Sequence, residues 1–141
     1  AELLDELCRL PGVKGTPTGR AMAAAAAERF AALVPSRPEA AVGVAGVLAS
    51  DGQTPEAFTK IEQFQRYLPA RVRAHAGLAI LRAGGATDRQ CDTVRGWLDR
   101  ALAAAPADVP MKLAEAEFFT LRQQPEKAAE VLTDALNEFP A

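Results

Sequence analysis

The side chains that could do chemistry in this chain are one histidine, two cysteines and a scatter of carboxylates. His75 stands alone, and an activated nucleophile needs its base within hydrogen-bond reach. Pairing His75 with Cys8 or Cys91 would be an accident of folding, so His75 is predicted to be a helix residue, packed or half-exposed. Cys91 follows Asp88-Arg89-Gln90 and reads as an interior or boundary thiol. Two cysteines are too few for a disulfide framework or a four-ligand zinc site. On separate helices, with roughly 8–10 Å between packed neighbours, they are expected not to bridge. No glycine-rich phosphate loop occurs: Gly84-Gly85 ends a helix, and Gly12 to Gly19 lacks the lysine-serine finish. Gly43 and Gly46, three apart on one helix, allow either close helix packing or floor space for a ligand. Glu2, Asp5 and Glu6, and likewise Glu115 and Glu117, read as solvated helix faces, and Trp97 reads as core. No catalytic constellation, cofactor site or metal site assembles from these residues, so the chain is not expected to be an enzyme.

The elements that position them follow from composition and period. The chain of 141 residues fits one domain. Its hydrophobic share of 49% can build a continuous core, but aromatics supply only 6%, and much of the rest is alanine. Small side chains let helices approach closely, so thin packed layers are expected. The formal net charge of −2 leaves no basic stripe for nucleic acid. No apolar run is long enough to span a membrane: Ala23–Ala27 is short and is followed by Glu28 and Arg29. No signal peptide is evident, which leaves cytoplasm and periplasm both open. The chain lacks an initiator methionine and stops at Phe139-Pro140-Ala141, so it is expected to be a piece of a longer protein. Its alanine and arginine usage points to a GC-rich bacterial genome.

Prolines divide the sequence. Pro35, Pro69, Pro106 and Pro140 each close a helical apolar pattern, at spacings of 34, 37 and 34 residues. A proline at fixed phase ends each second helix, because it cannot continue the backbone hydrogen bonds and restricts the residue before it. The longer spacing implies a three-residue insertion, placed at Gly84-Gly85-Ala86. Helix starts are marked by Thr16-Pro17, by Thr54 as a capping hydroxyl before Pro55, and by Thr87 to Gln90 as a capping box. Asp108 with Pro110 behind it marks another start, and Pro125 opens the last helix. About eight helices are predicted, roughly 2–10, 18–34, 38–50, 55–67, 70–83, 88–104, 109–123 and 125–138. Short loops make neighbours antiparallel.

A helix-turn-helix period of about 34 residues with a closing proline resembles the tetratricopeptide repeat. The matching residues are Val44, Ala45, Leu48, Ala57, Ile61 and Pro69 in one repeat. Leu78, Ala79, Leu98, Ala101 and Pro106 match in the next, and Ala116, Phe119, Ala128, Leu132, Ala135 and Pro140 in the last. The chain departs from the pattern where Ala41, His75 and Lys112 replace the early aromatic and where Phe64 replaces a small residue. The resemblance implies an all-α fold, a right-handed superhelical solenoid of antiparallel helix pairs. Its units would be a degenerate pair or cap at 1–37 and repeats at 38–71, 72–108 (with the insertion) and 109–141.

The resemblance also implies that ligands lie along a concave wall built by the first helix of each pair. Phased from the prolines, that wall would comprise Val42, Gly46, Ala49 and Ser50, then Arg73, Ala76, Ile80 and Ala83, then Leu113, Glu117, Thr120 and Leu121. The family's lysine-and-asparagine clamp for a partner's terminal carboxylate is absent. The expected function is a non-catalytic scaffold or adaptor whose groove accepts an amphipathic helix or an extended apolar segment of a protein or peptide. Arg73 and Glu117 would set its polarity. A docking or regulatory region of a larger enzyme, or an architectural spacer, stays open. So does a further repeat, or a homodimer, covering Val131, Leu132, Ala135 and Phe139 of the last helix.

Overall fold

The punctuation residues fold as their chemistry requires. Thr16 accepts the amide of Gly19 at 3.0 Å and caps the helix that starts at Pro17. Thr87 and Gln90 close the reciprocal box, with Gln90 N donating to Thr87 Oγ1 at 3.2 Å and Thr87 N donating to Gln90 Oε1 at 2.9 Å. Asp108 accepts the amide of Met111 at 3.2 Å. Each bond satisfies an amide that the first turn leaves without an intrahelical partner.

The computed structural model describes residues 15–139. Among them are seven α-helices and no strand. They are α1 (Pro17–Leu33), α2 (Ala40–Ser50), α3 (Thr54–Gln63), α4 (Ala70–Ala83), α5 (Asp88–Ala104), α6 (Val109–Leu121) and α7 (Pro125–Glu138). The predicted helix at 2–10, Cys8 and Pro140 lie outside the described residues. Two local expectations are corrected. Thr54 is the first residue of α3, buried and not a capping hydroxyl, and the cap position is Gln53. The helix predicted at 55–67 ends at Gln63 and continues as a 3₁₀ turn, Gln65–Tyr67, ahead of Leu68 and Pro69. The predicted insertion is a turn: Gly84 and Gly85 take φ values of 80° and 77°, a region open to glycine at little cost.

Extensive packing runs between helices one or two places apart in the chain. α1 packs on α2, α2 on α3 and α4, α3 on α4, α4 on α5 and α6, α5 on α6, and α6 on α7. One buried cluster reaches from Ala27 of α1 to Phe118 of α6, and a smaller one joins Ala23 and Ala26 to Val47 of α2. Ile61, Leu78, Ile80, Leu98 and Met111 are its largest sealed side chains, each stabilising by about 1.5–3 kcal/mol. Helix α7 buries only Ala128.

Small residues mark the closest approaches. A Cβ on Gly77 would stand 2.9 Å from both Trp97 and Val94, and one on Gly43 would stand 2.8 Å from Phe30. Trp97 is thus core, with its ring 5.8 Å from that of Phe58. Gly43 is a packing glycine, whereas Gly46 faces open space. No described helix is long and apolar enough to cross a membrane.

Candidate interaction site

The polar residues of α4 divide it lengthwise. Arg71, His75 and Arg82 fall within about 40° of one another at 100° per residue, while Val72, Ala76 and Ile80 form a buried stripe beside them. The polar stripe faces a cavity of about 450 Å³ lined by Glu39, Val42, Pro69, Arg71, Val72, His75 and Arg82. Glu39 stands at the cap position of α2 and Val42 in its first turn, so the two closely packed helices α2 and α4 form the walls.

A third helix joins through an ion pair. Glu117 of α6 receives both Arg82 Nε and Arg82 Nη2, the latter at 2.8 Å. A two-pronged guanidinium–carboxylate contact has fixed geometry as well as charge. The Arg82 hydrogen bond holds the Glu117 carboxyl below its ordinary range, against the opposing effect of burial. His75 lies between these charges. Burial lowers its pKa first, Arg71 and Arg82 lower it further, and Asp108 and Glu117 oppose them. Its imidazole is therefore neutral near pH 7, as a half-buried wall residue.

The predicted concave wall does not come together as predicted. Ala49, Ala76 and Ile80 are at most 2% exposed and belong to the core, so they offer nothing to a ligand; the stripe assigned to the wall on α4 is instead the stripe that packs inward. Arg73 is half-buried and points elsewhere, with Nη2 donating to the Gln65 carbonyl at 2.8 Å. It cannot set the polarity of this site. Val42 lines the cavity, Gly46 is half-buried beside open space, and Ala83 and Leu121 are half-buried. Ser50 is half-buried and Thr120 exposed. Glu117 is present but already neutralised by Arg82, and Leu113 is 53% exposed on a different groove. Arg71, His75 and Arg82 were missed as a set. Their common helical face was a readable signal, passed over because phase was counted from the prolines alone.

Other chemistry-bearing residues have structural places. Cys91 is buried and lines a small cavity with Leu81, Gly84, Gly85, Ala86, Leu121 and Arg122. Arg122 spans from α6 to the start of α5, with Nη1 3.1 Å from Asp88 Oδ1. Arg95 of α5 pairs with Asp99 at 3.0 Å and Glu115 at 3.8 Å, and its guanidinium lies 4.9 Å from the Phe119 ring. Among the described residues, no group of three or more His, Cys, Asp or Glu side chains is arranged to hold a metal ion. No protein family, curated protein or solved structure matches the chain.

Proposed function

We propose that this chain is a non-catalytic helical-repeat module that holds a segment of another protein, its helix pairs stacked as tetratricopeptide-like units. The carrying observation is the cavity between α2 and α4, with the Arg82–Glu117 pair extending the same face onto α6. A repeat stack makes contacts only between near neighbours along the chain, and the extensive contacts here have that range. The cavity is mixed in character. Val42 and Val72 offer apolar contact, Arg71 and Glu39 offer charge, and His75 offers a neutral donor and acceptor. That mixture suits an extended peptide with one apolar side chain seated among polar backbone contacts.

Peptides selected from a random display library against the folded chain test the reading. Val42→Asp and Arg71→Glu alter the cavity wall at residues that are not buried, so helicity by circular dichroism should hold. The selected peptides should lose about tenfold or more in affinity, roughly 1.4 kcal/mol. Peptides that bind both variants as tightly as the parent chain would sink the cavity as the binding site.

A further inference from the structure

Arg73 stands apart from the cavity between α2 and α4. It lies about 200° round α4 from Arg71, on the side that meets α5 and the end of α3. Gly77, one turn further along α4, meets Val94 and Trp97 of α5, and the Trp97 ring is 5.8 Å from that of Phe58 on α3. On the same side, Arg73 Nη2 donates to the Gln65 carbonyl at 2.8 Å. That bond fixes the guanidinium, yet Nε is buried without a hydrogen-bond partner and no carboxylate pairs with the group among the described residues. Burying a charge costs free energy unless an opposite charge answers it, so this arginine is stabilised by an anion on its outward edge.

The charge that does come near has the same sign. Contacts step down α4 as they step up α5: Leu81 shares a cavity with Cys91, and Gly77 meets Val94 and Trp97. One turn further, Arg73 comes level with Arg100. Arg100 lies about 60° round α5 from Trp97, away from the buried Leu98 and Ala101 and so on the flank turned toward α3. Burial lowers the Arg73 pKa, and the charge of Arg100 lowers it further. Arg100 is exposed and makes no hydrogen bond or ion pair among the described residues. The carboxylates of the neighbouring elements are committed elsewhere or stand off. Asp99, about 100° round α5 from Arg100, pairs with Arg95 at 3.0 Å. Asp108 accepts the Met111 amide. Glu62, on the Phe58 flank of α3, is exposed and pairs with neither arginine. Arg66 adds a further cation, its guanidinium 4.8 Å from the Tyr67 ring.

We propose that Arg73 and Arg100 together form a site for a phosphate group, free or as a monoester. A guanidinium presents its donors as a planar fork that fits two phosphate oxygens at once. Two such forks side by side answer a dianion, whereas a single carboxylate would neutralise only one of them. A phosphate monoester carries a charge of about −1.5 to −2 near pH 7, which matches the pair. The site lies across α4 from the cavity proposed to hold a peptide and does not depend on it.

The test titrates inorganic phosphate and N-acetyl-phosphoserine amide separately into the folded chain, with chloride holding ionic strength constant. The arginine Nε–H signals are followed by NMR. Both ligands should shift the Arg73 and Arg100 signals saturably, in the millimolar range, and the tighter of the two identifies the source of the phosphate. Arg100→Gln alters an exposed position, so helicity by circular dichroism should hold while affinity falls about tenfold. Glu62→Gln should bind at least as tightly as the parent. Phosphoserine binding should weaken severalfold on going down to about pH 5, where the monoester regains its second proton. Shifts that do not saturate, equal shifts at all arginines, or an Arg100→Gln chain that binds like the parent would overturn the proposal. Weaker binding by Glu62→Gln, or phosphoserine binding that is unchanged at low pH, would overturn it too.

Discussion

The face that α4 and α5 present to α6 and the face that α6 and α7 present outward are built on one register but meet different surroundings. Ile80 is sealed, while Glu117, at the same distance from its preceding proline, is half-exposed and turns back to pair with Arg82 of α4. Ala76 is sealed, and its counterpart Leu113 is open. The pairs show that equal spacing from a proline does not fix burial, which depends on what packs against each residue.

Breaking the sealed face should cost most. Ile80→Glu places an unpaired carboxylate at a site with no exposure. It should remove about 3–5 kcal/mol, enough to unfold a marginal domain. Urea denaturation followed by circular dichroism measures this, and a loss under about 1 kcal/mol would show that the stripe is not sealed. Gly77→Ala comes next, because the added methyl meets Trp97 and Val94 at 2.9 Å. Overpacking of that kind costs about 1–3 kcal/mol. Gly46→Ala has nothing within 4 Å and should instead gain up to about 1 kcal/mol of helix propensity. If the two alanines act alike, the close approach at Gly77 is misplaced.

The pH dependence is a smaller effect. His75 has a lowered folded pKa, so below the ordinary histidine value of about 6.5 the unfolded chain takes up the proton first. Stability should therefore fall as pH drops from 6.5 through the lower folded value. Glu117 is also lowered. Its contribution is complete above the ordinary carboxyl value of about 4.3 and is lost as pH falls through its folded value. Denaturation midpoints from pH 7 to 3 should show both declines, and His75→Gln should remove the upper one alone. An upper decline that survives His75→Gln would reassign it. Smallest of all, Leu113→Ser and Leu136→Ser should each change stability by about 0.5 kcal/mol or less, since neither is covered. A larger loss in the same urea assay would mean the open groove is covered in solution.

Much of the local structure was legible in the residues. The capping box at Thr87 and Gln90, the Asp108 cap, the proline starts at Pro17 and Pro125 and the glycine turn at Gly84-Gly85 all fold as their types require. Each depends on groups within one turn of one another, so no distant contact had to be known. The candidate site was less legible. Proline spacing gives the length of each unit, but each residue adds 100° around a helix axis. A phase error of one or two residues therefore exchanges wall for core, as it did for Arg73, Ala76 and Ile80 against Arg71, His75 and Arg82.

By itself, the sequence determined, within a turn, where the described helices begin and, α3 excepted, where they end, and that those helices carry an alanine-rich core. Hydrogen-bonding caps, prolines and side-chain size act over a few residues, so their outcome is written locally. Only the tertiary structure decided which face of α4 is sealed, that Glu117 answers Arg82, and that Leu113 and Leu136 remain open. Burial is a property of what arrives from elsewhere in the chain. The same residue spacing yields core on α4, which packs against α2, α5 and α6, and an exposed groove on α6 and α7, which no described helix covers.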